Sequence, residues 1–365
     1  MNTRSVGWQP PHCPNPDCKY HNDLHEDWPY RKHGFFYRRT HPQRIQRFTC
    51  LNCGRAFSTQ TFSTTYWLKR PDILPALLMK VVGGMCNRQI ARDLQTSPTT
   101  IDHQLSRLGR HCLLHHRQRL RNAPPPGDLA IDGFESYERS QYQPFHFHIA
   151  VEPETSFINH FTDSELRRKG RMTEVQRERR RQLEALHGRP DPKAVQKDVT
   201  ELLQTVLEGA ERTTLRSDKH QAYPRAIRRV NCEVRHVTVS SRDRRDQHNL
   251  LWEINRLDRM IRHSQAGHAR ETLAAPKRRQ RAAERLAIFT NWWNYMRARW
   301  VRGTRASPGM LRGLTRRLMS VKEILGGRIF RSRAELPPRW EQYYNGSVRT
   351  RVMAVNRGHE LTYAY

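Results

Sequence analysis

The chain is 365 residues long and carries 65 Lys and Arg against 35 Asp and Glu, a formal net charge of +30 at pH 7. That length predicts two or three domains, and the cation excess points to a polyanionic partner, with nucleic acid first. No stretch of about 20 residues is apolar enough to span a bilayer, and the N-terminus has no apolar core like that of a signal peptide. A cytoplasmic, nucleoid-associated protein with no membrane partner is therefore expected, and its seven cysteines should be reduced.

Residues 1–67 are rich in Cys, His and aromatics. Cys13 and Cys18 form C-x4-C, and Cys50 and Cys53 form C-x2-C. Two such knuckles can close a tetrahedral Zn²⁺ site. A segment this short cannot build a core alone, so one structural zinc is expected to hold it together. His21 is an alternative ligand, most plausibly in place of Cys18. Cys86, Cys112 and Cys232 stand alone and read as core residues.

Residues 68–122 turn helical. "NRQIARDLQTSPTTIDHQLSRL", 87–108, reads as helix, break, helix. Ile90, Ala91 and Leu94 form the first apolar stripe, and Ser97 with Pro98 opens the second helix as cap and first residue. The exposed face of that helix is expected to carry Thr99, Thr100, His103, Gln104 and Arg107, side chains suited to base edges and phosphates. A plain helical hairpin is the bland alternative.

"APPPGD", 123–128, is a stiff linker. Beyond it the period becomes that of strands: "DLAIDGFESYE", "QPFHFHIAVE" and "SFINHFTD". A basic helical insertion follows at about 165–189, then an amphipathic helix, the strand "TTLRSDKH", a short helix, the strand "CEVRHVTVS" and long helices to about 300. The fold class expected is α/β. Three strands, helix, strand, helix, strand is the element order of an RNase H-like catalytic domain, here over 128–300, with a C-terminal extension over 301–365.

Asp132 ends the first of these strands and Asp218 the fourth. Side by side, two carboxylates repel each other unless cations sit between them, and oxygen ligands suit two Mg²⁺ or Mn²⁺ ions. A third acid should come from "HNLLWEINRLDRMIRHS". Glu253 follows Asp218 after 34 intervening residues and Asp258 after 39. At 100° per residue, Leu250, Leu251, Ile254, Leu257 and Ile261 share one stripe, which contains Asp258 and leaves Glu253 outside. Asp258 is favoured, because a carboxylate on a buried stripe needs a reason. Glu253 is the alternative and Glu271 a weaker third choice. Arg259 and Arg262 could reach phosphates, and Glu135 could support Asp132. The aromatic run Phe289, Trp292, Trp293, Tyr295 and Trp300 reads mainly as core.

"CLNCGRAFS", the helix-turn-helix, "IDGFESYE", "LRSDKHQAYPRAI" and "NRLDRMIRHSQAGHARETLAAPKR" together resemble bacterial insertion-sequence transposases of the RNase H-like superfamily with an N-terminal zinc ribbon. The resemblance covers roughly 13–300. It implies metal-dependent cleavage at transposon ends, then attack of the freed 3′-OH on target DNA. It implies double-stranded DNA as partner, ends and target alike, and a homodimer or larger assembly. The first two family acids fall on Asp132 and Asp218. The third falls on Glu253 by separation and on Asp258 by local context. Two other functions compete: a catalytically inactive, transposase-derived DNA-binding regulator, and a structure-selective DNA nuclease.

Overall fold

The computed structural model describes residues 8–22, 27–240, 242–269, 272–301 and 303–356. Three short strands, β1 (Tyr30–Tyr37), β2 (Arg44–Cys50) and β3 (Ala56–Ser58), make an antiparallel sheet in sequence order. Phe48 and Phe57, paired across β2 and β3, stack at 5.4 Å and head an aromatic cluster with Trp28 and Phe62.

Three helices follow: α1 (Leu74–Val82), α2 (Asn87–Asp93) and α3 (Pro98–Leu120). The turn between α2 and α3 passes through Gln95 at φ 47°. The Ser97 hydroxyl accepts from Thr100 N at 3.1 Å, the expected cap. The second helix runs well past its expected end, because Leu105, Leu108, Cys112 and Leu113 extend the buried stripe.

The chain is a mixed α/β protein built on a five-stranded mixed sheet. β4 (Asp128–Tyr137), β5 (Pro144–Val151) and β6 (Ile158–Glu165) form an antiparallel meander. After α4 (Glu174–His187) and α5 (Ala194–Val206) comes β7 (Arg212–Asp218), then α6 (Ala222–Ile227) and β8 (Glu233–Val239). Both β7 and β8 run parallel to β4, giving the order β6-β5-β4-β7-β8. Alternation sorts β4 between two cores: Leu129 and Ile131 face α5 and α6, while Ala130 and Phe134 face the helices on the other side.

That second layer contains α7 (Trp252–Ser264) and α8 (Arg279–Asn291). Ile254, Leu257 and Ile261 are buried as expected, but Leu250 precedes the helix and is exposed. The last segment comprises the hairpin β9 (Arg299–Val301) and β10 (Thr304–Ala306), then α9 (Pro308–Leu311), α10 (Val321–Ile324) and α11 (Pro338–Asn345). Of the aromatic run, Phe289, Trp293 and Tyr295 are core residues, Trp292 is half-buried and Trp300 is exposed.

Residues of α1 to α3, the α7 side of the main sheet and the C-terminal segment pack in one hydrophobic cluster, while the small sheet keeps a cluster of its own. α3 packs along α8 so closely that a Cβ on Gly109 would lie 2.7 Å from Glu284 Cβ and its carbonyl oxygen. The C-terminal segment laces the rest together. Arg328 N donates to Phe62 O at 2.9 Å, Phe330 joins the aromatic cluster of the small sheet, and Trp340 Nε1 donates to Phe161 O of β6 at 2.9 Å.

Candidate active site and metal centre

The four cysteine sulfurs lie within 4.8 Å of one another, with Cys13, Cys18 and Cys50 buried. Cys13 and Cys53 are 3.6 Å apart and Cys18 and Cys50 4.0 Å. Tetrahedral ligation at about 2.3 Å requires sulfurs roughly 3.8 Å apart, so this set is close enough to bind a metal ion such as zinc. Burial raises the thiols of Cys13 and Cys18. Burial also opposes ionisation of Cys50, but donation from Trp28 Nε1 at 3.3 Å and from nearby backbone N–H groups brings it down to about 7. His21 is not part of the set. Its Nδ1 donates to Cys13 O at 2.7 Å and its Nε2 accepts from the Ser332 hydroxyl at 2.7 Å, which uses both ring nitrogens.

The acids are placed by strand register. In the parallel β4–β7 ladder, Leu129 pairs with Leu215 and Ala130 with Arg216. Two residues further, the same register sets Asp132 beside Asp218, and both point to the α7 side of the sheet. The hydrogen-bonded ladder has ended by then, so the strands part where the carboxylates stand. Asp132 Oδ1 accepts from Gly133 N at 2.7 Å and Asp218 Oδ1 from His220 N at 2.9 Å.

Asp258 is half-buried on α7, on the side of the buried Ile254, Leu257 and Ile261. Burial, and then the negative charge of Asp132, hold its carboxyl well above the usual range, against Arg262 and Arg245. Asp132 is raised by burial and by Asp218. Tyr223 of α6 is buried, and its hydroxyl is pushed up by burial and by Asp132, Asp218 and Asp258 together. The three acids therefore share one electrostatic field around one tyrosine. They are not a closed coordination shell, since among the described residues only the four cysteines bring three or more ligand atoms within 4.8 Å of one another.

Glu253 belongs to a different cluster. It accepts from the Ser156 hydroxyl in the β5–β6 turn, from Arg256 at 2.7 Å and from Arg299 at 3.3 Å. Burial alone would raise its carboxyl, but these donors hold it below the ordinary value. Glu135, expected to support Asp132, projects from the opposite face of β4 and pairs with His146 at 3.5 Å. Glu271 lies outside the described residues.

The helix-turn-helix face is narrower than expected. Thr99 and His103 are exposed and Thr100 is half-exposed. Gln104 is buried, with Nε2 donating to Arg70 O at 2.9 Å, because α1 and its approach cover that side of α3. Arg107 is half-buried and donates to Tyr66 O. Arg259 is exposed over the Trp252 ring, whereas Arg262 is tied to the carbonyls of Glu135 and His268.

Two groups near the acids carry little signal in the sequence, Tyr223 and the exposed Arg245. One is an aromatic in the short helix after Asp218, and the other is one arginine in the run "SRDRRDQH". On the α5 and α6 side of the sheet, the side that carries Glu135, a cleft of about 1,010 Å³ runs between the loop after β6, the approach to α5 and the start of α6, and none of the three acids lines it. Arg167, Lys169, Arg189, Lys193 and Arg225 line it, and His220, two residues past Asp218, reaches it from the acidic side. No helix among the described residues is long and apolar enough to cross a membrane.

No family model matches the chain, and no curated protein matches it. Among solved structures it is similar to the cryo-electron microscopy structure of the simian T-cell lymphotropic virus intasome in complex with the PP2A regulatory subunit B56 gamma. The identity is 11% over 65% of this chain and 73% of that one, with a TM-score of 0.26.

Proposed function

We propose that the protein is a DNA transposase that binds transposon ends and carries out metal-dependent cleavage and strand transfer on an RNase H-like domain. The observation that carries this reading is the β4–β7 register that sets Asp132 beside Asp218 on the side of the sheet where α7 brings Asp258, and the upward shifts of Asp132 and Asp258 accord with it. The strand order β6-β5-β4-β7-β8, with only the last two strands parallel to β4, supports the domain assignment.

The donors at this site are all carboxylate oxygens, which suit Mg²⁺ or Mn²⁺. Their mutual repulsion is an unbalanced charge that divalent cations would cancel. Asp132, Asp218 and Asp258 would hold two such ions, which when bound supply Lewis-acid polarisation of the phosphate and of the attacking oxygen. A water oxygen attacks phosphorus at the transposon end, and the P–O3′ bond breaks to leave a 3′-OH. That hydroxyl then attacks a phosphorus of target DNA, and the target 3′-oxygen leaves with the proton.

The chain's own part is positioning. The paired strands fix the two aspartates, α7 brings the third, and Arg245 offsets charge that gathers at the phosphate. The +30 charge draws the DNA backbone to the protein, and the cation-lined cleft, which His220 connects to the Asp218 end of β7, gives its phosphates a track. The protein works as a homodimer or larger assembly on two ends, with Thr99, Thr100 and His103 presented to the duplex.

The test is cleavage and joining on DNA bearing the repeats that flank the gene. Mn²⁺-dependent nicking and strand transfer that disappear in both Asp132→Asn and Asp218→Asn support the reading. Wild-type activity in either variant overturns it, and specific binding with no metal-dependent cleavage identifies a regulator instead.

A further inference from the structure

Trp67 is 80% exposed and its backbone sits at φ 59°, the left-handed region that a bulky side chain rarely adopts. Neither exposure nor conformation serves the core. The ring stands at the junction of two clefts and lines both. One, of about 820 Å³, lies on the face of the small sheet that carries Phe36 and Arg47, and its far wall is the segment Tyr66–Lys69. The other, of about 760 Å³, runs along α3 past His103 and Arg107 to Arg278 and Arg281.

The first cleft has Arg38, Arg39, Arg47 and Lys69 among its lining residues and no carboxylate. Phe36, 38% exposed, adds a second solvent-facing ring to it, whereas Phe35 and Tyr37 project from the other face of β1. Cations alternating with solvent-facing rings are what a nucleic acid with unstacked bases requires. The cations follow the phosphates, and each ring offers a π-face to a base. A duplex keeps its π-faces inside the stack and shows only base edges, for which Trp67, Phe36 and Tyr66 offer little hydrogen-bonding chemistry. The rings therefore favour an unpaired strand, while charge alone would suit either form.

We propose that Trp67 is a stacking platform for an unpaired nucleotide, and that single-stranded nucleic acid passes over it from one cleft to the other. This goes beyond the cleavage reading and does not rest on it, since none of the three acids takes part.

The experiment uses the full, metal-loaded chain and fluorescein-labelled oligothymidylate of about 15 nucleotides, with a duplex of equal length for comparison. Trp67→Ala is expected to weaken oligothymidylate binding about five- to hundredfold, the worth of one stacked base, with duplex affinity changed less than about twofold. Trp67→Phe is expected to keep most of the affinity. It should also lose the part of the tryptophan quenching that oligothymidylate causes in the wild type, and it tests the idea even if Trp67→Ala does not fold. Unchanged affinity in Trp67→Ala, equal loss for strand and duplex, or undiminished quenching in Trp67→Phe would each overturn the proposal. Asp132→Asn should bind the oligonucleotide like wild type, so failure of the catalytic reading and failure of this one are separable.

Discussion

Glu253 and Asp258 stand five residues apart on α7, about 7.5 Å along its axis, yet only Asp258 feels the charge of Asp132. Glu253 is spent on Ser156, Arg256 and Arg299, at the turn that leads into β6. The two substitutions should therefore separate. Asp258→Asn is expected to lower Mn²⁺-dependent nicking by at least about a hundredfold, and Glu253→Gln by less than about tenfold. Glu253→Gln should instead lower the melting temperature, because Arg256 and Arg299 lose their common carboxylate. Loss of nicking in Glu253→Gln with a normal melt would reverse the assignment.

Ionisation of Asp258 is opposed by burial and by Asp132. Asp258→Asn removes that penalty, so the inactive variant should melt higher than wild type, by roughly 2–4 °C for each kcal/mol relieved. Mn²⁺ should raise the wild-type melting temperature by the same logic, and raise that of Asp258→Asn less. Differential scanning calorimetry with and without the ion reads both. An equal Mn²⁺ shift in the two proteins would place the ion elsewhere.

One metal ion per chain is expected at the cysteine set, measured by elemental analysis. Cys50→Ser should lose it, and Cys112→Ser, inside α3, should keep it. His21→Ala should also keep it while lowering the melt, since His21 joins Cys13 to Ser332 rather than to metal. Metal loss in His21→Ala would restore it as a ligand.

Acid should destabilise the fold from pH 6.5 downward. Burial lowers His115 and His268 to about 3 and His116 to about 4, so all three stay neutral when folded. Unfolded, they bind protons below about 6.5. The unfolded state then holds more protons, and stability falls with pH by up to about 1.4 kcal/mol per unit for each residue until the folded values are reached. Asp132 and Asp258 act in the opposite direction, since protonation relieves their repulsion. Urea melts between pH 7 and 4 should show the net fall, with a shallower slope in His116→Gln. An unchanged slope in His116→Gln would mean that His116 is already charged when folded.

Gly109→Ala should cost about 1–3 kcal/mol, because the new methyl meets the Glu284 backbone rather than a movable side-chain end. Chemical denaturation measures it, and a neutral result would show that α3 and α8 can part at that point.

The five strands of the main sheet are legible in the sequence because their periods switch cleanly from helix to strand after "APPPGD". Asp218 closes β7 as its sequence suggests, but Asp132 does not end its strand: β4 runs on to Tyr137 because the antiparallel pairing with β5 continues past the point where the β4–β7 ladder stops. Asp258 separates from Glu253 by helical angle alone, since the buried stripe of α7 is narrow. Gln104 departs from its expected exposure for the converse reason. It falls on the flank of the apolar stripe of α3, and only the covering chain near Arg70 decides which flank is wet. Glu135 departs from its expected role because alternation along β4 sends it away from Asp132. The extent of α3 is not legible locally, because its partners on α8 are some 175 residues distant in the chain, beyond the reach of any short pattern.

The lacing of the C-terminal segment has a consequence for how this protein can be taken apart. A fragment ending near residue 122 would leave Leu113, Leu114 and Cys112 of α3 facing water, and would strip the aromatic cluster of Phe330. A fragment beginning near 128 would lose the wall against which α8 packs. Its parts are mortised rather than threaded like beads. Swapping the metal-bearing N-terminal region for another would therefore require the last third of the chain to be recut to match.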